Sequence, residues 1–242
     1  MKTVKWSARR AAAVGVALLF AAMAYLVYRQ DFISLRTGEQ RMQAIVDYAS
    51  DDPEDTGSLR LRAVLHPVVE FDETIRDRRI LVFSDSEIDG LLGEIQFRRG
   101  VLGGWQPLSA SYAVGPVIRS AAVGDRGVRV VYAVDCPPEI AHYKVQADLR
   151  NPGSLLAEGD VTGPRFFHIH ETDRDYFPAL WLFDAQGEQL DPADYLAVDQ
   201  DYPAPGIGSA ETNAVYVFCF IVLGLGWLVV KYLWDEKPEK KE

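Results

Sequence analysis

Two uninterrupted apolar blocks stand near the ends of an otherwise charged chain, and they restrict its fold more than any other feature. Ala11 to Tyr28 is a run of eighteen residues without a charge, bounded by Arg10 and Arg29. As a helix rising 1.5 Å per residue it spans roughly 27 Å, close to the thickness of a hydrocarbon core. Thr212 to Val230 adds nineteen uncharged residues between Glu211 and Lys231, dense in Val, Ile, Leu and Phe. Neither block has the polar face that a helix on the surface of a soluble core requires. Both are therefore expected to be transmembrane helices.

The flanks give the expected direction. Lys2, Lys5, Arg9 and Arg10 precede the first block, and Lys231, Lys237, Lys240 and Lys241 follow the second. This is the pattern of two cytoplasmic ends with the middle outside the membrane. Trp227, Tyr232 and Trp234 would lie at the cytoplasmic interface, with Tyr25 and Tyr28 at the opposite one. The first block also has the form of a signal-peptide core, with a basic start and the small-residue triplet Ala22, Met23, Ala24. Its continuation through Tyr25, Leu26, Val27 and Tyr28 favours a retained anchor.

Charge then narrows the partners. The chain carries −10 overall; the first ten residues contribute +4 and residues 231–242 are neutral, so the stretch between them carries −14. An acidic domain of this kind repels nucleic acid and anionic headgroups and attracts cations or basic partners. Nucleic-acid binding is excluded on this ground, and the partners expected are the lipid bilayer and another membrane or envelope protein. Cys136 lies in the middle and Cys219 inside the second apolar block, too far apart in depth for a disulfide.

The fold class expected is a membrane-anchored α+β protein, mainly β. Its two terminal helices flank an ectodomain of antiparallel sheet, one helix and a small sandwich-like part. The layout is a tail at 1–10, a membrane helix or signal core at 11–28, an α+β subdomain at 29–135, a β-sandwich-like subdomain at 136–190, a stalk at 191–211, a second membrane helix at 212–230 and a tail at 231–242. Thr37 to Ser50 reads as a helix opened by a capping box of Thr37 and Gln40, with Met42, Ile45, Val46 and Ala49 on one face. Asp51 to Asp55 closes it with an acidic turn. Strands are expected at Leu59–Leu65, Arg79–Phe83, Gly93–Arg98, Trp105–Tyr112, Val117–Val123, Val128–Val134, Tyr143–Ala147, Arg165–His170 and Ala179–Phe183. Asp184 to Gly187 has the composition of a hairpin turn. The boundary between subdomains is placed at Asp135, where Pro137 and Pro138 interrupt the strands.

Several stretches carry a resemblance. DPADYLAVDQDYPAPGIGSAE followed by VYVFCFIVLGLGWLVVKYLWDEK resembles the C-terminal end of uncharacterised membrane proteins of Gram-positive bacteria. RRILVFSD, GEIQFRRGVLGGWQPLSASY and VIRSAAVGDRGVRVVYAVD are similar to their extracytoplasmic part. The shared feature is a strand of the form Phe, basic, basic, Gly leading into a Gly-aromatic turn, here Phe97, Arg98, Arg99, Gly100, Gly104 and Trp105. Val101, Leu102 and Gly103 stand where the group has an Asn-Gly style of turn. The resemblance runs from about Arg79 to Trp234 and implies location and architecture, with no activity to carry over.

Candidate chemistry is sparse. His168 and His170 alternate along a strand, so both imidazoles fall on one face with a spacing suited to a shared metal. A zinc hydrolase needs a third ligand and an open position, and His66 and His142 sit in no motif. No metal, cofactor or catalytic residue is assigned. Arg98 and Arg99 beside Trp105 form a candidate patch for an anionic polymer or a partner carboxylate, guanidinium groups being suited to planar anions and indole to stacking. Ala11 and Gly15, or Gly224 and Gly226, are small residues at which the two apolar helices can approach each other. The expected function is a non-enzymatic membrane-tethered interaction or sensory module; a surface hydrolase using His168 and His170, or an accessory subunit of a membrane complex, are the alternatives.

Overall fold

The computed structural model describes residues 8–49, 66–124, 127–148, 150–172, 179–196, 202–204 and 209–235. In chain order its elements are α1 (Ala8–Asp31), α2 (Gly38–Ala49), β1 (Pro67–Ile75), β2 (Arg78–Asp85), β3 (Leu91–Gly100), β4 (Gly104–Val114), β5 (Arg119–Ala122), β6 (Val128–Ala133), β7 (His142–Gln146), β8 (Leu155–Asp160), β9 (Phe166–Glu171), β10 (Ala179–Phe183), α3 (Pro192–Tyr195), β11 (Tyr202–Ala204) and α4 (Ser209–Trp234). The expected strand at Leu59–Leu65 and the acidic turn at Asp51–Asp55 lie outside the described residues.

The strands form three antiparallel sheets, stacked in the order in which their apolar faces meet. The first is β1-β2-β3-β4-β11, the middle one β5-β6-β9 and the outer one β10-β7-β8. Helix α2 covers one face of the first sheet, with Ala44 and Ile45 against Leu81, Phe83, Ile95 and Phe97. The other face of that sheet, with Ile80, Val82 and Leu92, packs on Val128, Val130 and Tyr132 of β6. The opposite side of β6, Val131 and Ala133, meets Tyr143, Val145 and Leu182 of the outer sheet. β2 and β6 are thus apolar on both faces because each is covered on both, and each lacks the alternation of a half-exposed strand.

The capping box of α2 is formed. The Gln40 amide donates to Thr37 Oγ1 at 3.2 Å, and the Thr37 amide donates back to Gln40 Oε1 at 3.3 Å. Each bond satisfies an amide that the helix ladder cannot. The turn at Asp184 to Gly187 is also present, closed by the Gly187 amide donating to the Asp184 carbonyl at 3.1 Å.

β1 departs from simple alternation. A register shift between Val69 and Phe71 skips Glu70. Val69 therefore packs toward α2, while Phe71 packs toward the middle sheet and meets the Phe167 ring at a tilt. An extra residue re-aims a strand in this way without ending it.

Two expected boundaries do not match the strand pairing. β6 pairs with β9 from Val128↔Glu171 to Ala133↔Phe166, so the middle sheet crosses the division placed at Asp135. Segment 191–211 is also more than a stalk: α3 follows Leu190, Tyr195 and Leu196 pack on the core of the outer sheet, and β11 pairs with β4 from Tyr202↔Tyr112 to Ala204↔Ala110. In both cases long-range pairing overrides a local signal of Pro and Gly.

Helices α1 and α4 are long and apolar enough to cross a membrane, and they pack side by side. Phe20 closes over Gly226 so tightly that a Cβ there would lie 2.6 Å from the Phe20 Cβ, whereas Gly15 and Gly224 face open space. Tyr216 of α4 meets the rings of Tyr28 and Phe32 at one end of the pair. At the other end Arg10 lies over Trp234 and Lys231 over Trp227, at 5.5 and 5.4 Å. Ala13, Ala24 and Val222 are buried between them, while many of the larger apolar side chains point outward, Phe220 being 78% and Leu18 66% exposed. Neither helix is buried in a protein core, and together they present a large exposed apolar surface.

Candidate functional site

The histidine strand is the first place to look for chemistry. Phe166, His168 and His170 share the face of β9 that looks at the outer sheet, as alternation requires. Each imidazole turns toward one group, the hydroxyl of Tyr143 on β7, which stands 2.7 Å from His168 Nδ1 and 2.7 Å from His170 Nε2. Tyr143 is fully buried. Burial, and then the charge of Asp160, push its phenol well above the usual tyrosine range. Burial lowers both imidazoles below the ordinary histidine value, and His168 adds to the effect on His170.

A hydroxyl has one proton to give and lone pairs to accept with. Tyr143 therefore donates to one imidazole nitrogen and accepts an N–H from the other, and all three groups are satisfied when both rings are neutral. A metal bound through those two nitrogens would have to displace the phenol. Among the described residues no group of three or more His, Cys, Asp or Glu is arranged to hold a metal ion. Asp173, which follows the histidines in sequence, lies outside the described residues.

The Arg98, Arg99 and Trp105 patch is divided by the pleat. Arg99 lies directly opposite Trp105 and Arg98 opposite Gln106, so Arg99 and Trp105 share the α2 face of the first sheet and Arg98 points to the other. Trp105 packs on the α2 core, and Arg79 lies over its ring at 5.5 Å. Arg79 in turn forks onto Asp72, with Nε and Nη2 each 2.7 Å from a carboxylate oxygen, and Arg41 of α2 reaches the same carboxylate at 2.5 Å. Burial alone would raise the Asp72 carboxyl, but the hydrogen bonds and charges of Arg79 and Arg41 outweigh it and hold it below the usual range. Arg99 is exposed and Arg98 half-buried.

At the opposite end of the first sheet the β2–β3 turn borders a cleft of about 340 Å³. Its walls carry Glu70, Asp85, Glu87, Asp89 and Asp135. Two of these acids are committed to structure. Glu70 pairs with Arg165 at 2.7 Å, and Asp85 accepts the amides of His66 and Glu87 at 3.0 and 2.9 Å. The first sheet is consequently polar along its strands, with Arg76, Arg98 and Arg99 at one end and the acidic cleft at the other. β3 has ten residues, so at about 3.3 Å per residue the two ends stand roughly 30 Å apart.

The sequence pointed to His168, His170, Arg98, Arg99 and Trp105. Tyr143, Asp72 and the cleft acids were not legible, because each acquires its role from a strand distant in the chain. Compared with known proteins, the chain matches no family model, no curated protein and no solved structure.

Proposed function

We propose that this protein is a membrane-tethered extracytoplasmic interaction or sensory module. Its partners are the bilayer, crossed by α1 and α4, and another membrane or envelope protein met by the central domain. The basic residues flanking both apolar blocks support two cytoplasmic ends with the β-domain outside. The packing of α1 on α4 supports a retained anchor over a cleaved leader.

The observation that carries the reading is the joint between α1 and the first sheet. Directly after the helix, Ile33 pairs with Trp105 of β4, each amide donating to the other's carbonyl at 2.9 Å. Tyr28 and Phe32 stack at 4.2 Å against the same hairpin. A domain merely kept near a membrane needs only a slack linker. Here the domain is held by hydrogen bonds at a fixed height and rotation, which suits recognition of a partner whose own position is fixed by the same bilayer.

Photo-crosslinking in intact cells tests this. A crosslinker placed in turn at Val68, Glu87, Arg99 and Ile169 is expected to give one discrete adduct, confined to positions on one side of the domain. Adducts scattered over all positions, or none at any, would remove the interaction reading. Metal-dependent hydrolysis by the purified chain, abolished by His168→Ala, would replace it with an enzymatic one.

A further inference from the structure

The β3–β4 hairpin ends in Val101 and Leu102, which are 79% and 66% exposed. Outside α1 and α4 they are the most exposed large apolar side chains among the described residues. A tight hairpin has no packing need for two such residues at its tip, and ordinary turn chemistry would place polar residues or glycine there. The tip is nonetheless firmly positioned. Trp105 is level with Ile33, Gly104 packs against Phe32, and the Leu102 amide donates to the Tyr28 hydroxyl at 3.2 Å. Gly100 completes the contact, since a Cβ there would collide with the Tyr28 hydroxyl and the Phe32 ring.

These contacts give the hairpin a direction. From Trp105 to Leu102 it descends along α1 from beyond the helix end toward its interior. Tyr28 lies three residues before the last helical residue Asp31, which is roughly 4.5 Å inside the helix. The apolar tip is therefore beside the outer turn of a segment long and apolar enough to span a bilayer. Arg99, exposed next to the tip, and Arg98 at the same end are placed for phosphate oxygens, while Arg76 pairs with Glu171 at 3.0 Å and Asp77 lies beside them as a further acid. The acidic cleft faces the far end, away from an anionic surface.

We propose that Val101 and Leu102 form a third membrane contact, inserted at the headgroup–acyl boundary beside α1. This contact makes the hairpin a foot on which the β-domain stands. The proposal rests on the reading of α1 and α4 as membrane-spanning, and the experiment separates the two.

The full-length chain carrying Cys219→Ala, with Cys136 buried, is reconstituted in nanodiscs of phosphatidylcholine and phosphatidylglycerol. A nitroxide is attached in separate samples at Leu102→Cys, Leu18→Cys and Val68→Cys, and collision with oxygen and with a water-soluble nickel chelate is measured by power saturation. The Leu102 label is expected to share the oxygen preference of the Leu18 label, with an oxygen-to-nickel ratio several-fold above that of the Val68 label. A Leu102 ratio equal to that of Val68, with Leu18 still oxygen-rich, overturns the third contact and leaves the spanning helices standing. A nickel-accessible Leu18 label overturns both.

Discussion

Two buried tyrosines sit in successive layers of the same stack, and each hydroxyl meets two polar side chains from other strands. Between the first and middle sheets, the Tyr132 hydroxyl donates to Glu94, whose carboxylate also lies 3.4 Å from Arg119 Nη2. Between the middle and outer sheets, the Tyr143 hydroxyl is shared by His168 and His170. The first arrangement is charged, and Tyr132 is pushed well above the usual range by burial and then by Glu94. The second is neutral and built around two imidazoles, the side chain whose ordinary value lies nearest physiological pH, here lowered by burial. The same device thus gives the outer interface an anchor that weakens as its imidazoles take up protons in acid.

Removing a partner from the charged layer is expected to be the most damaging change. Glu94→Ala leaves the Arg119 guanidinium in the interior without its countercharge, a loss of about 3–5 kcal/mol. Denaturant unfolding of the full chain in detergent measures it. Arg119→Met on the same background is expected to restore most of the loss, and a double variant no better than Glu94→Ala would break the assignment of the pair. Tyr143→Phe in the neutral layer should cost less, about 1–3 kcal/mol, because it strands two uncharged nitrogens.

The pH response sharpens the contrast further. Both imidazoles are lowered in the folded chain, so the unfolded chain binds protons first as pH falls. Their stabilising contribution is complete above about pH 6.5, the ordinary histidine value, and is lost as pH drops from there toward the folded-state values. A melting temperature that declines over this window in the parent, and stays flat in His168→Gln/His170→Gln, is the expected result. Asp72→Asn, in the partly exposed network under α2, should have the smallest effect, about 1 kcal/mol. Because the Asp72 carboxyl is held low, its contribution persists above the ordinary carboxylate range and disappears only in strong acid. Parent and variant curves should therefore converge only there.

Local patterns in the sequence were enough to place both long helices, the capping box, β10 and the Asp184 turn, because each depends on neighbours in the chain. β1 was not legible: the skip at Glu70 breaks its alternation, and its charged residues Glu70 and Asp72 find their arginines at Arg165, Arg41 and Arg79. β11 has only three residues and exists by pairing with β4. For the candidate site, alternation put His168 and His170 on one face as observed. Nothing nearby announced that a phenol 25 residues earlier, on another sheet, would occupy both rings.

β4 has a connecting role that its sequence does not advertise. One end of this strand is stitched to Ile33, two residues after α1, and its other half carries β11, which runs antiparallel to it and returns toward the helices. Only residues 205–208 separate β11 from α4, a reach of at most roughly 18 Å even when fully drawn out. Both long helices are thus tied to one strand. One helix reaches the strand through hydrogen bonds to Ile33 and the other through β11 and four residues of chain, so both connect by way of β4 to the whole five-stranded sheet.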